Sequence, residues 1–334
     1  MRIAIDAMGG DLAPNAVIEG ALAAAAEWRD THIILVGDRS RIEAGLAGRS
    51  LPANAEIHHA ADAIAADEEP VKAVRRKKEA SMVVAGRLVR EGAADAMISA
   101  GNTGALMTTG LLIVGRIPGI ERPALAPMIP TMDGKGVLAL DLGANMDASP
   151  ENLLQYAIMG SIYRSKVHGV EKPRVGLLNV GTEAMKGNEL TKHAFPLLEQ
   201  APIHFVGNVE ARDVLNAECD VLVCDGFVGN ILLKSMEGTA GAIFSALKSE
   251  FTKTLFSKLA AAILKPGLSQ FKKKLDYTEH GGAPLLGING LVLKSHGSSD
   301  ANAFKNAVRQ ARIAVSNQLV QAISQEISGK RDGE

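Results

Sequence analysis

The sequence predicts an α/β fold built on a mostly parallel sheet, on three observations. Short apolar runs recur along the chain and end in Gly, Asp or Asn. Alanine- and leucine-rich stretches of helical character lie between them. No repeat of fixed period and no low-complexity linker divides the 334 residues, so one continuous sheet and one domain over 1–334 are expected. The runs are 2–5, 33–36, 96–98, 136–140, 175–178 and 221–223. The helical stretches are 15–28, 71–91, 150–164 and 302–325. Strands alternating with helices read as βαβ units, which place ligands at the carboxyl ends of their strands. Function is therefore expected in the loops there.

Composition sets the outer bounds. Hydrophobic residues at 47% and charged residues at 22% are ordinary for a folded protein. With 36 basic and 37 acidic side chains there is no overall pull toward nucleic acid, and none is expected as a partner. Two cysteines, Cys219 and Cys224, are too few for a disulfide framework and fit a reducing cytoplasm. They have no histidine nearby in sequence, so a buried structural role is preferred to a nucleophilic one. Asp6 interrupts the apolar core that a signal peptide would need. The uncharged stretch 96–115 has the length of a membrane span but contains three threonines and four glycines, and it reads as strand, glycine turn and buried helix. His58-His59 has no partner at metal spacing, and neither a metal nor a cofactor is expected.

Taken in chain order, the loops supply the candidate site. After the first strand comes Asp6-Ala7-Met8-Gly9-Gly10-Asp11, where Gly9 and Gly10 permit close backbone approach beside a helix start able to bind an anion. Taken alone, the loop reads first as an ordinary turn. Ser99-Ala100-Gly101-Asn102-Thr103-Gly104 lacks both the dinucleotide fingerprint and the Walker lysine. What remains in Gly101, Asn102, Thr103 and Gly104 is a small-residue cradle with donors for a phosphate or carbonyl oxygen. A third run ends at Asn145 and a fourth at Asn179, followed by Gly181, Glu183 and Lys186. Lys186 can neutralise phosphate or the oxyanion of a thioester under attack; the plainer reading is a surface ion pair with Glu183. Asp225, Gly226 and Asn230 follow the fifth run, and Asn230 offers a neutral amide donor near a helix start. His296 is a base or phosphate ligand, or simply a turn residue beside Gly297.

Two basic regions invite partners. Arg75-Arg76-Lys77-Lys78 reads as a solvent face, or as a surface for an acidic carrier protein. Within 240–276, seven lysines outnumber the acids, and the segment is expected to project from the sheet. There Leu255, Leu259 and Ile263 recur every four residues and give a lysine-flanked apolar stripe. Such a stripe suits an anionic membrane surface, a packed helix or a dimer contact.

Six loops together, 5–11, 99–104, 143–145, 179–183, 225–230 and 277–283, resemble in order the PlsX family of bacterial acyl-ACP:phosphate acyltransferases. The resemblance implies a Rossmann-like three-layer α/β/α sandwich with a helical projection. It implies conversion of long-chain acyl-ACP and inorganic phosphate to acyl phosphate and free acyl carrier protein, for phospholipid synthesis. It further implies a cytoplasmic homodimer touching the membrane peripherally, with an acyl phosphate-using glycerol-3-phosphate acyltransferase downstream. Lys186 and Asn230 match the family pattern and are the expected catalytic pair. The alternatives are a phosphate acetyltransferase-like enzyme acting on a short acyl-CoA, and a noncatalytic membrane-associated scaffold.

Overall fold

The computed structural model describes residues 1–254, 256–259, 261–264, 267 and 281–329. Twelve strands are described: β1 Arg2–Asp6, β2 His32–Gly37, β3 Ala55–His59, β4 Ala96–Ser99, β5 Ala124–Leu125, β6 Met128–Ile129, β7 Val137–Leu140, β8 Arg174–Asn179, β9 His204–Glu210, β10 Val221–Val223, β11 Ala283–Leu286 and β12 Leu291–Lys294. They form two sheets, in the orders β3-β2-β1-β4-β12-β11-β5 and β6-β7-β10-β8-β9. In the first sheet β3 through β12 run parallel, and β11 is antiparallel to both its neighbours. In the second, β7, β10, β8 and β9 are parallel and β6 is antiparallel.

The expected α/β class with mostly parallel strands is what forms, but the single continuous sheet is not. The passage between sheets takes only Ala126 and Pro127. The Ala126 amide donates to the Pro284 carbonyl in the first sheet, and the Pro127 carbonyl accepts from the Ala139 amide in the second. Proline has no N–H with which to continue a ladder, so the strand changes sheets there without a flexible linker. Nothing in the composition marks the crossing.

One hydrophobic core nevertheless runs through both sheets. Ile3, Ile5, Ile98 and Leu293 of the first sheet belong to the same buried cluster as Leu138, Leu140, Val175 and Val223 of the second. Four helices contribute heavily to that cluster: α1 Asn15–Glu27, α6 Pro150–His168, α9 Ala301–Ser316 and α10 Leu319–Gly329. Each fully buried Leu or Ile stabilises by about 1.5–3 kcal/mol. Glycines set the spacing. A side chain at Gly160 of α6 would begin 2.6 Å from Val221 Cγ1, and one at Gly20 of α1 would begin 2.6 Å from Phe304 Cβ of α9.

Local chemistry explains where the helices begin and end. Ser149 and Asn152 cap each other reciprocally at the start of α6, with Pro150 in its first turn, and left-handed Gly169 ends it. The helix therefore continues past the expected residue 164. The stretch expected at 71–91 is two helices, α3 Pro70–Arg76 and α4 Ser81–Arg90. Lys77 sits in the break, with its ammonium 2.9 Å from Glu68 and 3.4 Å from Asp62. The stretch expected at 302–325 is also two helices, α9 and α10, parted by Gln318 at φ 52°. Residues 96–115 form β4, a glycine turn, α5 Thr103–Thr109 and a π-helical turn Gly110–Val114, as expected of a buried segment. Among the described residues no helix is long and apolar enough to cross a membrane.

The projection begins as α8, Gly226–Thr252, capped by Asp225, whose carboxylate accepts from the Phe227 and Val228 amides. Beyond it Phe256, Leu259, Ile263 and Leu264 are 85%, 64%, 80% and 52% exposed. Leu255, together with the Tyr277-to-His280 part of the sixth loop, lies outside the described residues.

Candidate active site

The polar loops converge at the carboxyl edges of the two sheets. At the first edge, β1 and β4 are neighbours from which the chain winds outward in opposite directions, the switch point at which open α/β sheets hold ligands. Asp6 ends β1 and is 1% exposed. Its carboxylate accepts from Ser81 Oγ and Ser99 Oγ, each at 2.6 Å, and from the Met8 amide at 3.1 Å. Burial pushes the Asp6 carboxyl above its ordinary pKa against the opposing pull of those hydrogen bonds. The glycines are required by crowding: a side chain on Gly9 would begin 2.5 Å from Asp6 Oδ2 and 2.7 Å from the Gly101 amide. Gly10 has φ 107°, and the Asp11 amide donates to the Gly297 carbonyl at 2.7 Å. Thus Asp6, Gly9, Gly10, Asp11, Gly101 and the His296 turn are brought together.

Asn102 has a different task. Its Oδ1 caps α5 by accepting from the Ala105 amide at 3.0 Å, while its Nδ2 donates to the carbonyls of Ala66 and Glu68 at 2.9 and 3.2 Å. Gly104 lies against Pro70, and Thr103 is exposed in the first turn of α5. The His296 ring Nδ1 is 2.8 Å from Ser298 Oγ within an exposed turn. The residue that sequence reasoning missed here is Lys294, the last of β12 and 9% exposed. Its ammonium donates to the Ala100 carbonyl at 3.5 Å and to the Ser295 carbonyl. Burial pulls its pKa down to about 8, with Asp11 and Asp6 opposing. A lysine ending an apolar run just ahead of the His296 turn was the available signal.

At the second edge the loops after β7, β10 and β8 lie side by side, because those strands are neighbours in that order. Asp141, fully buried, accepts from the amides of Gly143, Ala144 and Asn145 at 3.1, 2.9 and 2.6 Å, and burial pushes its pKa up. Asn145 Nδ2 holds Asp141 Oδ2 at 2.9 Å and the Pro123 carbonyl at 2.8 Å. Gly226 must be small, since a side chain there would begin 2.6 Å from the Asn145 carbonyl oxygen. Asn230, half-buried in the second turn of α8, lies over the Gly143 turn, where its Oδ1 is 3.3 Å from the position of an added Cβ. The structure therefore brings Asn145, Asp225, Gly226 and Asn230 together.

The loop after β8 carries Asn179, Gly181, Glu183 and Lys186. Asn179 Nδ2 donates to the Lys186 carbonyl at 3.1 Å, and the Glu183 carbonyl accepts from Asn208 Nδ2 at 2.8 Å. The Glu183 and Lys186 side chains both fold over Gly181, at 3.0 and 3.1 Å from the position of a Cβ there. Among the described residues the exposed Lys186 ammonium enters no ion pair, so the plain Glu183–Lys186 surface bridge does not form. Cys219 and Cys224 are buried; burial pushes the Cys219 thiol up to about 12 and the Cys224 thiol well above its ordinary value. Neither is poised as a nucleophile.

Strand register relates the two edges. Ala126 bonds at Pro284, which pairs with Leu293 next to Lys294, and Pro127 bonds at Ala139, two residues before Asp141. The chain runs up the first sheet and down the second, so the carboxyl edges lie at the two ends of one two-residue step. Two polar edges at the ends of one short step, the first with glycine turns around a buried lysine and the second with Asn230 and Lys186, suit a group-transfer enzyme of the α/β/α class.

The comparisons agree with that class. The chain is 59% identical over 334 residues to a protein of Brevibacillus brevis named phosphate acyltransferase, covering 100% of this chain and 99% of that one. It is 57% identical over 327 residues to a Geobacillus thermodenitrificans protein of the same name, covering 98% and 99%. In fold it is similar to the EutD phosphotransacetylase of Staphylococcus aureus, with a TM-score of 0.59 and 16% identity over 95% of this chain and 94% of that one. Residues 1–322 match the family described as fatty acid synthesis protein. The chain belongs to that family, the PlsX family, and is an acyltransferase.

Proposed function

We propose that this protein transfers a long-chain acyl group from acyl carrier protein to inorganic phosphate, releasing acyl phosphate and free carrier protein for phospholipid synthesis. The observation that carries this reading is the second edge, where the Asn230 amide lies over the Gly143 turn and the Lys186 ammonium is left without an ion-pair partner among the described residues. A phosphate oxygen attacks the thioester carbonyl carbon, the C–S bond breaks as the C–O bond forms, and the proton of hydrogen phosphate passes to the departing thiolate. Phosphate is already an anionic nucleophile at neutral pH, so the enzyme supplies orientation and oxyanion stabilisation and needs no covalent cysteine. In this reading Asn230 orients the carbonyl and Lys186 faces the developing negative charge.

Carrier protein rather than coenzyme A as the donor is supported by the family's link to fatty acid synthesis. The exposed apolar residues Leu259 and Ile263, flanked by lysines, support peripheral contact with an anionic membrane. Acyl phosphates hydrolyse readily, which favours release beside a membrane-bound glycerol-3-phosphate acyltransferase that consumes them. The reading takes the whole chain as one catalytic domain, acting in the cytoplasm as a homodimer, with 240–276 as its projection.

The test is incubation of purified protein with long-chain acyl-ACP and phosphate, trapping acyl phosphate with hydroxylamine, beside a parallel reaction with short acyl-CoA. Phosphate-dependent hydroxamate from the carrier-bound donor is expected. Product from acyl-CoA alone moves the assignment to a phosphate acetyltransferase-like enzyme, and no product from either donor rejects it.

A further inference from the structure

The first sheet holds a charge that the reading above leaves unused. Lys294 ends β12, next to β4 and two strands from β1, so its side chain leaves the sheet where loops 6–11 and 99–104 begin. Desolvating an ammonium costs several kcal/mol, and that cost is ordinarily met by a paired carboxylate. Here the direct partners are two backbone carbonyls, of Ala100 and Ser295, and among the described residues no carboxylate forms an ion pair with it. Asp6 and Asp11 attract it from farther away, but Asp6 is already engaged by Ser81, Ser99 and the Met8 amide. Burial outweighs both carboxylates and depresses the ammonium's pKa to about 8. Around it Gly9, Gly10, Gly101 and Gly297 let the three loops pack closely, Gly9 against Asp6 and the Gly101 amide and Gly297 against the Asp11 carboxylate.

We propose that Lys294 is a phosphate-binding residue, its ammonium forming the floor of the acceptor site between loops 6–11, 99–104 and 296–300. This assigns the first edge to phosphate and leaves Lys186 and Asn230, on the second edge, to the thioester. The proposal rests on the acceptor being phosphate.

Calorimetric titration of inorganic phosphate into the wild-type protein and the Lys294→Met and Lys294→Gln variants tests it, with steady-state kinetics and thermal unfolding on the same samples. Loss of a charged hydrogen-bond donor predicts phosphate affinity weaker by at least about tenfold in both variants. The KM for phosphate rises with it while the KM for the acyl donor stays within about twofold. Tm does not fall in Lys294→Met, because methionine removes a desolvated charge while keeping the volume. Wild-type phosphate affinity in both folded variants overturns the proposal. So does a fall in Tm without a selective change in phosphate affinity or KM, which makes Lys294 a structural counter-ion to Asp6. Wild-type protein with neither phosphate binding nor phosphate-dependent turnover removes the acceptor reading itself, and the proposal with it.

Discussion

The two carboxyl edges are built from the same parts, glycine turns at the ends of parallel strands, yet water reaches them differently. At the first edge Asp6 and Lys294 are 1% and 9% exposed and their neighbours fill the space to contact. At the second, Asp141 is fully buried and shapes the 143–145 turn, but the side chains beside it, Asn230 on α8 and Lys186 after β8, are half-buried and exposed. A closed edge of this kind suits a small ion entering a fixed cradle, and an open one suits a bulky donor that must come and go. The energetic consequence is that first-edge charges act on stability as well as on phosphate binding, because desolvation shifts their titration, whereas second-edge charges act on turnover alone.

The largest expected effect breaks that division if it fails. Asn230→Ala and Lys186→Ala should each lower kcat by about 10²–10³, the usual loss on removing one oxyanion donor, with the unfolding midpoint in urea unchanged for Lys186→Ala. Hydroxylamine trapping measures the first quantity and denaturation the second. Turnover retained in both variants would take the transition-state contacts away from this edge.

The next effect belongs to the first edge and has a defined sign. Lysine titrates near 10.5 in the unfolded chain and at about 8 at position 294 in the fold. Below pH 8 both states hold the proton and the native state carries the full desolvation penalty. Between pH 8 and 10.5 the native state gives up its proton first, so the fold gains stability as pH rises, by up to about 3 kcal/mol. Lys294→Met should lack that gain in urea unfolding measured at pH 8 and pH 10. Parallel pH profiles for variant and wild type would show that position 294 is wetter than its surroundings imply. A smaller loss, about 1–3 kcal/mol, is expected for Ser99→Ala, which removes a donor to Asp6 and the acceptor of the Gly101 amide. Ser81→Ala, which leaves the Gly101 contact intact, should cost less.

These contrasts show what was legible in the sequence. Turn chemistry is local, so the loops after β1, β4, β7, β8 and β10 could be found from their Gly, Asp and Asn residues, and 96–115 could be resolved into strand, turn and buried helix, whereas β3 and β9 gave no such run. Lys186 and Asn230 stood out because the order of the loops resembled a family. What could not be read depends on distant partners. Ser81 serves Asp6 across 75 positions of sequence, and the helix break at residues 77–80 that puts it there is held by Lys77 reaching Glu68 and Asp62. The two-residue strands β5 and β6 are too short for any periodicity, so the change of sheet at Pro127 left no pattern. Lys294 ends a four-residue strand, and its burial depends on loops distant from it in sequence.

The smallest effect on chemistry concerns where the open edge leads. Asn230 lies near the start of α8, a helix of 27 residues and so about 40 Å long, which ends shortly before the exposed Phe256, Leu259 and Ile263 in sequence. The edge that carries Asn230 is thus continuous in chain with the exposed apolar residues of the projection. If that surface rests on lipid, Leu259→Glu removes an apolar contact and adds charge repulsion against anionic headgroups. Cosedimentation with anionic vesicles should then fall several-fold, by roughly 1–2 kcal/mol of binding, while turnover in solution is unchanged. Unchanged cosedimentation would leave these side chains to a protein contact instead. A sedimentation-velocity measurement on the same variant reads that outcome directly, because losing a contact between subunits shifts the protein toward monomer, whereas losing a lipid contact leaves its mass alone.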